Sequence, residues 1–265
     1  PGFEAPVCIV TSLGHSIDRP SRNRTVLVGL VRDESNPLAT RFELRAPNPK
    51  SNTYLVIASC YMAMLDGIKA GLEVGKTASE MCRSLSKEYG EEDFYLEKDR
   101  QYRSECEVFK HYTEEERNRL FGKAPATVWE NIKSFELYPE KLAIFKRDNV
   151  MTDLTLASYR EAVLAHWATE LHNRLIPGAK KLIQNCVPEH IGTQCTDLDV
   201  VIWERINDLR LYLGKDSIDG KCLLTRAANA LDAGDYSKAS RLQLEMQQKL
   251  EELTELYSEY KKNLF

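Results

Sequence analysis

The sequence predicts an α+β chain, with an incomplete sheet of about three strands in its first 50 residues and a mostly helical region after them. Two observations carry this. Residues 1–50 hold short, β-branched apolar runs broken by Gly, Pro, Asn, Asp and Ser, the pattern of strands and turns. From Asn52 onward, apolar residues recur every three or four positions, as they do on helix faces. With 265 residues, 43% of them hydrophobic and 29% charged, the chain is long and apolar enough to bury a core. Its formal net charge of −4 excludes a generally basic nucleic-acid binder. No run is read as approaching the roughly 18 apolar residues that span a bilayer, so neither nucleic acid nor membrane is expected as a partner.

The strands are Pro6–Thr11, Thr25–Val31 and Leu38–Leu44, with Ser12–Ser21 as a long loop. Seven basic and five acidic residues in the first 50 put a basic excess on this part of an otherwise acidic chain. Asn52–Lys69 is apolar on nearly every side and reads as a buried helix. Thr77-Ala-Ser-Glu80 has capping-box spacing and opens a helix toward Tyr89. Residues 90–118 are charge-dense and read as a surface segment. Ala126–Phe135 and Pro139–Phe145 are short helices. Leu156 to Leu175 marks a longer one, which Pro177-Gly178 interrupts or bends, and Leu198 to Leu213 another. Met246, Leu250, Leu253, Tyr257 and Tyr260 alternate 4-3-4-3, a seam for packing inside the chain or against another subunit. The proposed division is 1–123 and 124–265. Because the chain opens Pro1-Gly2-Phe3-Glu4 and its strands leave edges unpaired, it reads as a piece of a longer polypeptide whose other part, or another subunit, finishes the sheet.

The most informative segment is Arg41-Phe42-Glu43-Leu44-Arg45. Side chains alternate along a strand, so Arg41, Glu43 and Arg45 share one face while Phe42 and Leu44 point to the core. A carboxylate between two guanidinium groups suits a bound polyanion and can give an oxygen ligand to a divalent cation. The competing reading is a solvated face of alternating charge. Arg22 and Arg24 add guanidinium groups nearby, making five arginines within residues 22–45 once Arg32 is included.

Other signals read as incidental. Ala70 to Thr77 fits a relaxed P-loop, but it follows a helix rather than a buried strand, and Thr77 serves better as an N-cap. His166, Glu170 and His172 lack the further ligands a zinc site needs, and His166 is read as a partly buried packing residue. The seven cysteines, Cys186 and Cys195 among them, lack C-x-x-C spacing and read as reduced thiols of a cytosolic protein.

The order of motifs says more. Pro1-Gly2-Phe3-Glu4-Ala5-Pro6, Ser21-Arg22-Asn23-Arg24, Arg41 to Arg45, Pro47 to Leu55 and Leu65-Asp66-Gly67-Ile68 together resemble glutamine synthetase, in the C-terminal half of its catalytic domain. The likeness is close over residues 1–75 and fades afterwards. The chain beyond Ile68 is similar to the long class III-like bacterial forms with a helical C-terminal extension.

The resemblance implies strands belonging to a larger antiparallel sheet. It implies an ATP-dependent ligase joining ammonia to L-glutamate through γ-glutamyl phosphate, with Mg²⁺ or Mn²⁺ as cofactor. It further implies a cytoplasmic location and a homo-oligomeric parent. Glu4 resembles the flap glutamate that closes over substrate and helps deprotonate ammonium. Glu43 matches a metal-ligand carboxylate. Arg24, Arg41 and Arg45 match arginines that contact the transferring phosphoryl group, the nucleotide phosphates and the glutamate carboxylate. Two departures stand out: a longer segment between Glu4 and Arg24, and Gly29 where the short bacterial enzymes have a phosphate-binding arginine, a place Arg32 would fill only from the opposite face. Tyr95 is only loosely placed as an adenylylation-loop tyrosine. The remaining metal and ammonia-site residues of the family are not matched in this chain, so it is expected to be inactive alone. The alternatives are a related γ-glutamyl-amine ligase of the same fold and a non-catalytic helical interaction module.

Overall fold

A computed structural model describes residues 14–16, 19–20, 27–45, 47, 51–102, 104, 106–190, 192 and 195–262. It confirms an α+β chain with small antiparallel strand pairs and a long helical remainder. Two compact units form, one from residues 2–124 and 139–152, the other from 125–138 and 153–265.

The first unit carries the strands. β1 (Gly14–Ser16) pairs with β2 (Arg19–Pro20), and β3 (Val28–Val31) with β4 (Arg41–Leu44), both antiparallel. The β1–β2 pair lies inside the segment read as a loop; strands of two and three residues are too short to show alternation. The expected strand Pro6–Thr11 lies outside the described residues. In the second pair Gly29 faces Glu43 and Val31 faces Arg41. Asn36 caps a 3-10 turn, Pro37–Ala39, between the strands, which shortens the expected Leu38–Leu44 strand.

Asn52 caps α1 (Thr53–Glu73) by accepting from the backbone N–H of Leu55. Two expectations about this segment need correction. By length and composition α1 could cross a membrane, with a mean hydropathy of 1.4. Nor is it buried: Tyr54, Ile57, Tyr61, Met64, Ile68 and Leu72, spaced 3-4-3-4-4, form one exposed apolar stripe, with Tyr54 at 86% and Leu72 at 75% exposure. The opposite side is anchored within its unit. Asp66 accepts from the Tyr95 hydroxyl at 2.5 Å and pairs with Arg147 at 3.2 Å.

The Thr77–Glu80 capping box is present and opens α2 (Ala78–Ser84), shorter than expected. The charge-dense stretch is not merely surface. It contains α3 (Val108–His111) and α4 (Glu114–Phe121), the latter opened by a Thr113–Glu116 capping box. Val108 and Phe121 are buried with Leu27, Tyr112 and Leu120 around them. Gly122 ends α4 at φ +82°, a conformation that favours glycine, and the Arg100 guanidinium lies where a Cβ would stand. α6 (Pro139–Lys146) completes this unit.

The second unit is a helical bundle of α5 (Val128–Leu137), α7 (Asp153–Glu170), α8 (Ile176–Asn185), α9 (Asp197–Gly214), α10 (Leu223–Asp232) and α11 (Tyr236–Lys262). Pro177 does not break the helix. A π turn, Leu171–Leu175, widens the backbone just before it, where the proline ring would otherwise meet the carbonyl four residues back. Trp167, Leu171, Ile206, Leu213, Leu253 and Tyr260 are fully buried at the centre. The C-terminal seam is used inside this core, with Met246, Leu253 and Tyr260 buried and Leu250 and Tyr257 packed against them.

Two buried polar contacts fix the register of the bundle. The Trp167 indole N–H donates to the Gln243 side-chain oxygen at 2.8 Å, and the Thr127 and Ser240 hydroxyls lie 2.7 Å apart. Gln243→Ala leaves the indole N–H without its acceptor. Urea unfolding of the chain is expected to show a loss of about 1–3 kcal/mol; a change within about 0.5 kcal/mol, the range of an ordinary surface substitution, would mean the contact contributes nothing.

Candidate functional site on the strand pair

β4 and the residue after it, Arg45, place Arg41, Glu43 and Arg45 on one face, as strand alternation requires. Arg41 Nη2 donates to Glu43 Oε1 at 3.0 Å and Arg45 Nη2 to Glu43 Oε2 at 3.2 Å. Each carboxylate oxygen therefore has its own guanidinium. Arg41 also donates to the Ala39 carbonyl at 3.2 Å, which ties it to the turn before the strand. Arg41 is the more open of the two, its side chain 58% exposed against 28% for Arg45. Such solvated pairs contribute little to stability. Their value is chemical: they hold a dianion-matching pair of forks and a hard oxygen donor on one small face.

The other face differs from expectation. Phe42 and Leu44 do point away from the charged residues, but they are 62% and 40% exposed rather than buried. A two-stranded ribbon has no second layer of its own, and among the described residues no third strand joins the pair.

Arg45 lies across β3. A Cβ built on Gly29 would stand 2.7 Å from Arg45 Nη1 and 2.8 Å from Nη2. This explains why Gly29 is buried in so open a strand pair. The guanidinium above position 29 is thus supplied by β4. Sequence reasoning had no signal for this contact, because it depends on cross-strand register.

Glu4, Arg22 and Arg24 lie outside the described residues, so the structure brings together only Arg41, Glu43 and Arg45 of the expected set. A divalent cation suits the donor chemistry of Glu43, a partly exposed carboxylate, as one ligand among several. Among the described residues no group of three or more His, Cys, Asp or Glu side chains could hold a metal ion by itself.

The incidental motifs resolve as packing or surface. Thr77 is an N-cap, and Lys76 sits over the Phe94 ring at 4.5 Å and pairs with Asp93 at 3.6 Å rather than lining a phosphate loop. His166 is exposed on α7, not partly buried, because its neighbour Trp167 takes the inward position. Glu170 pairs with Arg174, and His172 contacts Asn173 at 2.9 Å and Asp232 at 3.7 Å. Cys60, Cys82, Cys106, Cys186, Cys195 and Cys222 are all free thiols. Burial pushes the thiols of Cys82 and Cys186 above the usual range, which makes them poor nucleophiles.

The architecture so defined is a strand pair with Arg41, Glu43 and Arg45 on one face, followed in sequence by an apolar helix and a helical bundle. The sequence model of the glutamine synthetase catalytic domain matches residues 1–136. Similar curated proteins are the glutamine synthetases of Streptomyces filamentosus, 45% identical over 73 residues, and Mycobacterium tuberculosis, 41% identical over 73 residues. Each match covers 28% of this chain and 14% of the relative. The glutamine synthetase of Aquifex aeolicus is 35% identical over 88 residues, 33% of this chain and 17% of that protein. The chain therefore aligns with only a small part of these relatives' length. No solved structure matches. This chain belongs to the glutamine synthetase catalytic-domain family.

Burial first, and then the hydrogen bond to Asp66, push the Tyr95 phenol up from 10.0 to about 12. The protonated phenol is the stabilised form. Its contribution is complete below pH 10 and is lost as the pH rises toward 12. Tyr95→Phe is expected to remove one late phenolate transition from the ultraviolet titration of the chain. An unchanged high-pH arm would place the Tyr95 phenol at its ordinary pKa.

Proposed function

We propose that the protein of which this chain is part is an ATP-dependent glutamate–ammonia ligase. The observation that supports this most is the Glu43 carboxylate held between Arg41 and Arg45 on one strand face, inside the segment matched by the family. In this reading residues 1–123 are the C-terminal part of the catalytic domain and 124–265 its helical extension. The substrates are ATP, L-glutamate and ammonia, with Mg²⁺ or Mn²⁺; the parent is cytoplasmic and homo-oligomeric.

Phosphoryl transfer is chiefly a matter of positioning and of neutralising charge spread over several oxygens. Arg41 and Arg45 serve that need with planar forks that bind phosphate or carboxylate in a bidentate manner. Glu43 would provide one oxygen ligand to a divalent cation, whose charge, when bound, neutralises the nucleotide phosphates. With Glu43 given to a cation, Arg41 and Arg45 would be placed to face an incoming anion. Arg24 is assigned to the transferring phosphoryl group. Glu4 is assigned to closing over the substrate, so that the acyl phosphate meets ammonia before water.

A γ-glutamyl-hydroxamate assay on the full-length parent, with Glu43→Ala beside wild type, tests the assignment. The variant is expected to lose activity by about 100-fold or more. Activity surviving the substitution would mean Glu43 is not the ligand, and an inactive wild type would remove the ligase reading itself. The 265-residue chain alone is expected to form no hydroxamate, since among the described residues Glu43 belongs to no group of three or more side chains that could hold a metal ion. Detectable activity from it would contradict this.

A further inference from the structure

We propose that Gly29 is a positioning residue: by carrying no side chain, it lets Arg45 lie across β3 and sets where that guanidinium meets an anionic substrate group. This deepens the reading above and rests on it. Three observations converge. Gly29 pairs directly with Glu43, so the space above its Cα belongs to the charged face. The Arg45 backbone N–H donates to the Leu27 carbonyl at 2.9 Å, which places Arg45 one step along the ladder from Glu43, with Gly29 on the diagonal. The guanidinium occupies the volume a Cβ would take, with Nη1, Nη2 and Cζ at 2.7, 2.8 and 3.2 Å from it.

Glycine inside a strand weakens it by losing packing and adding backbone freedom, so its presence commonly marks a close approach by another group. Here that group is a charged fork. β3 does not need left-handed backbone at this position, since Gly29 is not among the glycines with positive φ. Any residue could satisfy the backbone, so what glycine contributes is the space in which the mobile end of Arg45 lies; a side chain there would make the guanidinium shift. A methyl group would push the end of the Arg45 side chain off Glu43. A branched side chain would block its path over the strand, turning Arg45 outward while leaving the ladder intact.

The affected ligand is one with a phosphate or a carboxylate, the two anionic groups the face suits. ADP with Mg²⁺ probes the first and L-glutamate the second. Binding of each to the full-length parent is measured by titration calorimetry for wild type, Gly29→Ala, Gly29→Val, Arg45→Ala and the double variant Gly29→Val with Arg45→Ala. Gly29→Val is expected to weaken one of the two ligands by about three- to ten-fold, part of what a charge-assisted hydrogen bond contributes, with Gly29→Ala intermediate. In the Arg45→Ala background the same valine is expected to change that affinity by less than about two-fold, because the group it displaces is gone.

Valine is a strong strand former, and alanine provides a second, smaller probe should valine disturb folding. Wild-type affinity in both glycine variants would overturn the proposal. So would an equal loss from valine with and without Arg45, because the effect would then not pass through the guanidinium. If Arg45→Ala leaves both ligands bound as in wild type, the anion-face reading fails and the proposal falls with it. A loss in Arg45→Ala without one in the glycine variants overturns the positioning role alone.

Discussion

A carboxylate can stand between two guanidinium groups only if the backbone brings all three to one side, and a strand does so through nothing more than its alternation. Arg41, Glu43 and Arg45 occupy every second position of one segment, and each Glu43 oxygen meets a different arginine, at 3.0 and 3.2 Å. The neighbouring strand has to leave room, and Gly29 does so. Much of what surrounds the strands serves to keep this pair in place. The 3-10 turn after Asn36 joins them and accepts a hydrogen bond from Arg41 through Ala39. Leu27, just before β3, packs with Val108 and Phe121.

Stability and chemistry are carried by different parts of the chain. The strand pair buries little, with Phe42 and Leu44 open on its apolar side, and its ion pairs are too solvated to contribute much. The helical bundle holds the deep core, with Trp167, Ile206, Leu213 and Leu253 at its centre and the Trp167–Gln243 contact setting its register. The apolar stripe on α1 belongs with the strand pair in character: its spacing is that of a core-facing helix, but it stands exposed among the described residues. Asp66, tied to Tyr95 and Arg147, fixes the other side of α1 and gives the Leu65-Asp66-Gly67-Ile68 motif a structural role.

What could be read from the sequence follows the range of each interaction. Alternation over five residues was enough to place the charged face, and the Thr77–Glu80 spacing was enough to mark a helix start. Thr113–Glu116 forms the same kind of box in a stretch without a clear apolar period, and Thr196–Asp199, which opens the Leu198–Leu213 helix, closes on an aspartate rather than the glutamate or glutamine of the usual pattern. α10 escaped for lack of length, although Leu223, Leu224, Ala227, Ala230 and Leu231 lie on one buried face. Burial was misjudged where it depended on a partner layer, as for Phe42, Leu44 and α1. That Pro177 interrupts or bends the helix is legible locally, while the form this takes, a π turn over Leu171–Leu175, is not. The Gly29–Arg45 and Asp66–Arg147 contacts join residues far apart in the chain, and no local pattern announces them.

The proposed ligase activity requires the β4 face to exchange its internal ion-pair network for a bound cation and anion. A crystal structure of the full-length parent with ADP and Mn²⁺ tests this most directly. The account predicts an anomalous manganese peak in direct contact with the Glu43 carboxylate, with Arg41 and Arg45 turned to the phosphate or carboxylate of a ligand. Manganese elsewhere, with Glu43 still held between the two arginines, would contradict it.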